Sequence, residues 1–155
     1  MLKDDDLHHE PTSREEIASL LRLAERDLAK AQISDLYPDG RLAFAYNAAL
    51  QLATAFLRVQ RIRIGAHSHH VRTFRELKRL IPVEQRQFAL DFDRARRKRN
   101  TLMYDQAGAI SEHEAQEFIA EVKDFREWLS HELSTRFKEY LPDKGSRSEH
   151  DDKLS

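Results

Sequence analysis

The chain of 155 residues has no cysteine, four glycines and four prolines. Without cysteine, a disulfide-stapled scaffold and a thiolate metal site are both excluded. So little glycine and proline argues against many short strands joined by tight turns. No apolar run approaches the ~20 residues that a membrane helix needs, and the acidic start at residues 1–6 lacks the apolar region of a secretory signal. We therefore expect one helical, cytoplasmic domain with no membrane partner.

Charge is distributed unevenly, although the net formal charge is only −1. The segment from Arg58 to Arg99 holds 13 basic and 4 acidic residues, which gives it a charge of +9 and leaves −10 for the rest of the chain. A basic middle between acidic flanks indicates a surface for a polyanion or for an acidic partner. The alternative is a solvated basic face without a ligand, because Arg and Lys also favour helices and solubility.

Apolar residues recur at steps of three and four along most of the chain and predict five helices. Capping boxes at Ser13 with Glu16 and at Ser111 with Glu114 mark the first and fifth helices. Pro82 ends the third helix and suits the first turn of the fourth. The fold class is thus all-α, an antiparallel bundle of about five helices over residues 13–141. A flexible acidic N-terminus, residues 1–12, precedes it, and a disordered polar tail, residues 142–155, follows.

The same signals predict where the individual helices begin and end. The second helix is predicted from about Arg41 to Gln60 after a turn at residues 37–40, and it is apolar nearly all round, as a central helix would be. The third helix opens near residue 66. The fourth ends near Tyr104, and the fifth ends near Leu141, before Pro142.

A run of cations closes the predicted fourth helix. It comprises Arg94, Arg96, Arg97, Lys98 and Arg99, with Asn100 and Tyr104 after it. Cations at a helix C-terminus complement the helix dipole, which explains the basic residues but not the two that follow. Arg99 and Tyr104 diverge by ~140° on a continuous helix, so they converge only if the helix loosens near Met103. Together at a helix end, an arginine, an amide and a phenol would suit a phosphate group.

The sequence Arg99-Asn100-x-x-x-Tyr104-Asp105 resembles the motif of HEPN domains, the higher-eukaryote and prokaryote nucleotide-binding family. Residues 45–57, rich in Ala and containing Tyr46, are similar to the second helix of that family. The segment 65–70 is similar to the loop before its third helix. The order and lengths of the helices also agree from about Arg14 to Tyr140.

The resemblance implies an all-α homodimer in which paired Arg and His motifs form a metal-independent ribonuclease site between subunits. It also implies a place in a toxin–antitoxin or other defence system, in some cases beside a nucleotidyltransferase. Here Tyr104 stands where the motif His belongs. A phenol, with a pKa of ~10, is a poorer base at neutral pH than an imidazole, but it can still donate a hydrogen bond to phosphate.

We therefore assign Arg99, Asn100 and Tyr104 as the candidate catalytic set. The candidate nucleic-acid-binding residues are Arg94, Arg96, Arg97, Lys98 and Arg99. No metal and no cofactor is expected, and the partners implied are a second copy, RNA or a nucleotide, and a cognate nucleotidyltransferase or toxin–antitoxin protein. The favoured function is a binding or regulatory module with weak or no catalysis. The alternatives are an active ribonuclease toxin and a protein-interaction module that binds no nucleic acid.

Two other groups of residues deserve weighing. The histidines His67, His69 and His70 lack an evident fourth ligand for zinc, so a polar helix start is the favoured interpretation; His69 could also replace the missing motif His. The aromatic residues follow the helical spacing and are expected in the core. Tyr46 is an exception, since its buried hydroxyl would need a partner.

Overall fold

Five α-helices dominate the fold. The computed structural model describes residues 7–104 and 110–141, with residues 102–104 described by their backbone alone. The helices are α1 (Arg14–Ala31), α2 (Pro38–Val59), α3 (His69–Leu80), α4 (Arg86–Tyr104) and α5 (Glu112–Thr135). A short antiparallel pair, β1 (Leu7–His9) and β2 (Ile62–Ile64), is the only sheet in the described ranges. The predicted all-α, five-helix bundle is confirmed.

The N-terminal segment is more ordered than its sequence suggests. Leu7 pairs with Ile64 and His9 with Ile62 across the two strands, and the backbone of Glu10 donates to the carbonyl of Arg61 at 2.9 Å. The prediction of a flexible N-terminus is therefore wrong for residues 7–12. The remainder of that prediction, residues 1–6, lies outside the described residues, as does the predicted tail at 142–155.

Helix α2 is the central helix, as predicted, and it contacts α1, α3, α4 and α5. Its buried alanines let the neighbouring helices approach closely; they are Ala45, Ala48, Ala49, Ala53 and Ala55. The helix begins at Pro38, so the predicted turn at residues 37–40 is wrong. Proline at the first helical position starts a helix because its missing N–H would have had no partner there.

By length and composition alone, α2 would qualify to cross a membrane, and no other described helix does. However, 67% of its apolar window is buried inside the bundle, which is the behaviour of a core helix. Since one chain already covers α2, its apolar surface gives no reason to expect a dimer.

Aromatic rings fill the centre of the bundle where α3, α4 and α5 meet. Phe92 lies fully buried at their centre, 5.1 Å from Phe125 and 6.0 Å from Phe74 between ring centres. Phe88 and Phe118 complete the cluster at 6.1 Å each. The edge-to-face arrangement of most of these pairs is the favoured geometry for aromatic side chains, and it places the aromatics in the core, as expected.

The helix ends agree with the sequence signals in part. Ser111 and Glu114 form a complete capping box, with side chains and backbone N–H groups bonded reciprocally. The hydroxyl of Ser13 accepts from the backbone of Glu16 at 3.1 Å, but the Glu16 carboxylate is bonded elsewhere, so the first capping box is only half formed. Helix α5 ends at Thr135, earlier than predicted, and α3 begins at His69, later than predicted.

The Glu16 carboxylate serves a network that ties the N-terminal segment to the end of α2. Arg58, only 1% exposed, donates to the carbonyls of Glu10 at 3.0 Å and Pro11 at 2.7 Å and to Glu16 at 3.2 Å. Arg63 donates to the other Glu16 oxygen at 2.8 Å. Burial acts to raise the pKa of Glu16, but a hydrogen bond from the Thr12 hydroxyl at 2.6 Å, together with Arg63 and Arg58, lowers it below its ordinary value. Part of the basic excess in the sequence is therefore structural.

Candidate functional site

Helix α4 presents its cations on different sides. Arg96 and Arg99 lie toward α2 and α3, whereas Arg94 and Lys98 line a groove between α4 and α5. Positions three apart share a face of an α-helix, as do positions four apart, but positions two apart do not. The five predicted nucleic-acid-binding residues therefore do not form one continuous surface.

Most of these cations are already paired with carboxylates of the chain. Asp93 accepts from Arg96 at 2.8 Å and also contacts Arg97. Arg94 lies 3.3 Å from Asp91, and Lys98 forms an ion pair with Glu114 of α5. The positive charge that the sequence concentrates in α4 is thus largely balanced within the fold.

Arg99 is different, because no described carboxylate forms an ion pair with it. Its guanidinium carbon lies 5.3 Å from the centre of the Tyr46 ring, a cation–π arrangement. Tyr46 is fully buried on α2, so the ring is a fixed platform under the charge. A guanidinium held over a ring keeps its N–H groups available for the planar, bidentate recognition of phosphate.

The hydroxyl of Tyr46 lies 2.8 Å from Nδ1 of His70, in the first turn of α3. This contact supplies the partner that the buried hydroxyl needs. Burial raises the pKa of Tyr46, so the phenol stays protonated at neutral pH. Because Nδ1 is engaged with the phenol, Nε2 is the His70 nitrogen left for a ligand.

Burial lowers the pKa of His70, and the nearby charges of His69, Arg99 and Arg96 lower it further. His70 is only partly buried, and at neutral pH it is an uncharged imidazole. The structure therefore brings together a guanidinium, a phenol and a neutral imidazole from three different helices. We call Tyr46, His70, Arg96 and Arg99 the α2–α4 cluster.

The other two members of the predicted catalytic set are placed less favourably. Asn100 is exposed and helical. Helix α4 continues without a break through Tyr104, so the loosening near Met103 that would bring positions 99 and 104 together does not occur. The Tyr104 side chain lies outside the described residues. Apart from Arg96, the residues that accompany Arg99 come from other helices, and the one sequence signal for them was the polar hydroxyl of Tyr46 in an apolar helix.

The three histidines do not form a metal centre. His67 is exposed, whereas Nδ1 of His69 lies 3.3 Å from the carbonyl of Gly65. Over the described ranges no group of three metal-binding side chains converges. His70, rather than His69, contacts the Tyr46 side chain that lies under Arg99, and its pKa is lowered by the charge of Arg99.

The groove between α4 and α5 has a volume of about 540 Å³ and, unlike the α2–α4 cluster, is lined by several carboxyl groups. Its lining includes Leu42 and Phe118, and five of its seven ionisable residues are acidic. Burial and the adjoining Asp91 raise the pKa of Glu121 to about 9, so Glu121 is protonated at neutral pH. The pKa of Asp91 is lowered, because hydrogen bonds from Glu121 and Gln87 and the charge of Arg94 outweigh its burial. An acidic groove is unsuited to a polyanion.

Comparison with known proteins shows which family the chain belongs to. A search of curated proteins and a search of solved structures gave no match. The family description "HEPN domain" matches residues 17–133, which spans all five helices apart from a few residues at each end. The chain therefore belongs to the HEPN family.

Proposed function

We propose that the protein is an RNA-binding HEPN module that holds the phosphate backbone of a single strand at the α2–α4 cluster. The observation that carries this proposal is Arg99, whose guanidinium lies over the Tyr46 ring with no described carboxylate paired to it. Membership of the HEPN family supports a role with nucleic acid. The neighbouring Arg96 adds positive charge, and most contacts of proteins with nucleic-acid backbones are made by such groups.

We also propose where the protein acts and with which partners. We place it in the cytoplasm of a prokaryote, in a toxin–antitoxin or other defence system, as a homodimer and with a nucleotidyltransferase or toxin–antitoxin protein as partner. Family membership supports these assignments. Light scattering should give twice the 18.2 kDa mass of one chain, and a single-chain mass at micromolar concentration would contradict the dimer.

The binding test uses fluorescently labelled 2′-O-methyl RNA of about 12 nucleotides, because it keeps the phosphates and resists cleavage. Wild-type protein should bind it at low salt and lose affinity steeply as salt rises. Arg99→Ala should weaken binding by ~1–3 kcal/mol, the range for hydrogen bonds to charged groups, which is ~5- to 150-fold in Kd.

Arg94→Ala is the matched control. Both arginines lie on α4, but Arg94 is exposed and paired with Asp91 at the acidic groove. Its removal should change Kd less than threefold. Equal losses from both substitutions would indicate non-specific attraction to the whole helix. No binding by wild type at low salt would leave the protein-interaction alternative.

A further inference from the structure

Helices α4 and α5 enclose a groove that takes no part in the proposed binding of RNA. Each of the two helices packs closely against α2 but much less closely against the other. In the core the rings of Phe92 and Phe118, with centres 6.1 Å apart, join the two helices. Toward solvent the helices stay apart, and the groove of about 540 Å³ lies between them. It therefore has the position that a further helix would take in the bundle.

The lining of the groove is one face of each helix. On α4 the lining residues run from Asp91 to Lys98, and on α5 they run from Glu114 to Asp124, mostly at steps of three and four. At 1.5 Å per residue these faces extend ~10 Å along α4 and ~15 Å along α5, which is two to three turns of a docked helix. Leu42 of α2 adds an apolar side chain between them.

Negative charge in the groove exceeds what its own cations balance. Its two cations are already paired, Arg94 with Asp91 at 3.3 Å and Lys98 with Glu114. Among the residues that the structure describes, Asp124 has no ion-pair partner, and the partner of Glu117 is a histidine rather than a lysine or an arginine. A lining that combines apolar side chains with such carboxylates complements a partner that carries both apolar side chains and cations.

The pair formed by Asp91 and Glu121 across the groove leads to the same conclusion. Glu121 keeps its proton at neutral pH because of burial and the adjoining Asp91, although Arg94 acts in the opposite direction. A carboxyl that stays protonated beside a carboxylate indicates that this part of the groove lacks a second cation. A guanidinium has the planar geometry to bind two carboxylates and could take the place of that proton.

We propose that the groove is the docking site for a basic amphipathic helix of a partner protein, with apolar side chains against Leu42 and Phe118 and an arginine between Asp91 and Glu121. Docking of such a helix into a groove is a common mode of protein recognition. This interface goes beyond the proposed function and does not require RNA, because Arg96 and Arg99 lie on another side of α4, toward α2 and α3.

The probe is a stapled helical peptide of about 14 residues, which is long enough to cross the groove as a helix. Leucine and arginine recur at steps of three and four on one of its faces, and alanine fills the other positions. In fluorescence anisotropy, wild type should bind this peptide at least ~10-fold more tightly than a peptide with glutamate in place of arginine. A peptide with alanine in place of leucine should also bind more weakly, because it buries less apolar surface.

Glu117→Lys and Glu15→Lys form a matched pair of variants. Glu117 is exposed and lines the groove, whereas Glu15 is exposed on α1 and is not part of the lining. Both substitutions change the net charge equally. Glu117→Lys should weaken binding of the arginine peptide by ~10-fold or more, because a cation then faces a cation. Glu15→Lys should change it by at most about twofold, because salt screens distant surface charges.

The pH dependence of binding tests the position of the arginine. Asp91 and Arg94 face Glu121 from α4 and Asp124 adjoins it on α5, while α2 contributes the apolar Leu42. The pKa of Glu121 is about 9 in the free protein, and a bound guanidinium should lower it. Binding therefore releases a proton, and affinity should rise with pH between about 7 and 8, by at most ~10-fold per pH unit. Glu121→Gln has no such proton, so its affinity should not change over this range.

Several results would overturn the proposed docking site. Equal weakening by Glu117→Lys and Glu15→Lys would reduce the effect to net charge, and equal affinity for the peptide without leucine would remove the apolar contact. Absence of binding at millimolar arginine peptide, or a wild-type affinity that does not vary with pH, would also contradict it. A wild-type dimer that becomes monomeric in Glu117→Lys would assign the groove to a second copy of the chain. Binding of 2′-O-methyl RNA, measured on the same proteins, keeps these results separate from those that bear on the α2–α4 cluster.

Discussion

Arg58 and Arg99 are the first and last residues of the basic segment of the sequence, and they lie in very different surroundings. Arg58 is buried, and its N–H groups donate to two carbonyls and a carboxylate of the chain. Arg99 lies at the α2–α4 cluster over an aromatic ring, with no described carboxylate paired to it. One guanidinium therefore holds segments of the fold together, and the other remains available to a ligand. Charge counted along a sequence does not distinguish the two.

The largest expected effect comes from removing the buried arginine. Arg58→Leu leaves the carbonyls of Glu10 and Pro11 without their donor and Glu16 without one of its two arginine partners. The free energy of unfolding in urea should fall by ~3 kcal/mol or more, as when one partner of a buried ion pair is lost. Arg63→Gln, which removes a more exposed partner of the same Glu16, should cost ~1 kcal/mol or less. Equal losses would indicate that burial of Arg58 does not matter.

The partly buried carboxyl of Glu121 extends this comparison to a group whose neighbour, Asp91, carries a charge of the same sign. Glu121 has a pKa of about 9 in the fold against an ordinary value of ~4.3, so the folded protein holds a proton that the unfolded chain releases. Stability should therefore fall as pH rises from about 5 to 9, by less than the ~1.4 kcal/mol per pH unit of one full proton.

Glu121→Gln should flatten that dependence, because an amide cannot release the proton. The measurement is the free energy of unfolding of both proteins at pH 5, 7 and 9 (about the window set by the two pKa values). A wild type whose stability does not change over this range would show that Glu121 titrates normally.

Removing Arg99 should have a much smaller effect on stability than removing Arg58. Arg99→Ala loses one cation–π contact, worth ~0.5–1 kcal/mol at a partly exposed site. Thermal unfolding monitored by circular dichroism should therefore show a small shift in Tm. A loss as large as that of Arg58→Leu would make Arg99 a structural residue and would weaken its assignment to RNA.

The smallest effect is expected at Arg97, an exposed cation paired with Asp93 one helical turn away. Arg97→Ala should cost ~0.5 kcal/mol or less, the value of an i,i+4 pair on a helix surface. Urea unfolding is the measurement. A larger loss would show that Asp93 depends on Arg97 rather than on Arg96 for its position.

Helices and core were largely predictable from the sequence, because their signals are local. Periodic apolar residues and the capping box at Ser111 specify a helix without knowledge of its neighbours. The error at residues 37–40 arose from a proline that signals both a turn and a helix start. The three-residue strand β1 is too short for any periodicity, so its pairing with β2 was not expected.

The candidate site was predictable only in part, because it is assembled by tertiary contacts. Arg99 was identified from its motif. The contact of Tyr46 with His70 joins positions 24 residues apart, and no spacing rule connects helices α2 and α3. The sequence also favoured Tyr104 as a companion of Arg99, but the continuous helix keeps the two positions on different sides.

The docking of the N-terminal segment constrains the order in which the chain can fold. Glu10 and Pro11 are synthesised before their donor, Arg58, which comes 48 and 47 residues later. Strand β1 must wait longer still, until Ile64 has emerged from the ribosome. Helices α1 and α2 can pair before then, since loop closure between neighbouring segments is fast. Residues 7–12 can therefore dock only after the end of α2 has been synthesised, and in a nascent chain halted before Arg58 these residues lack their hydrogen-bond donor.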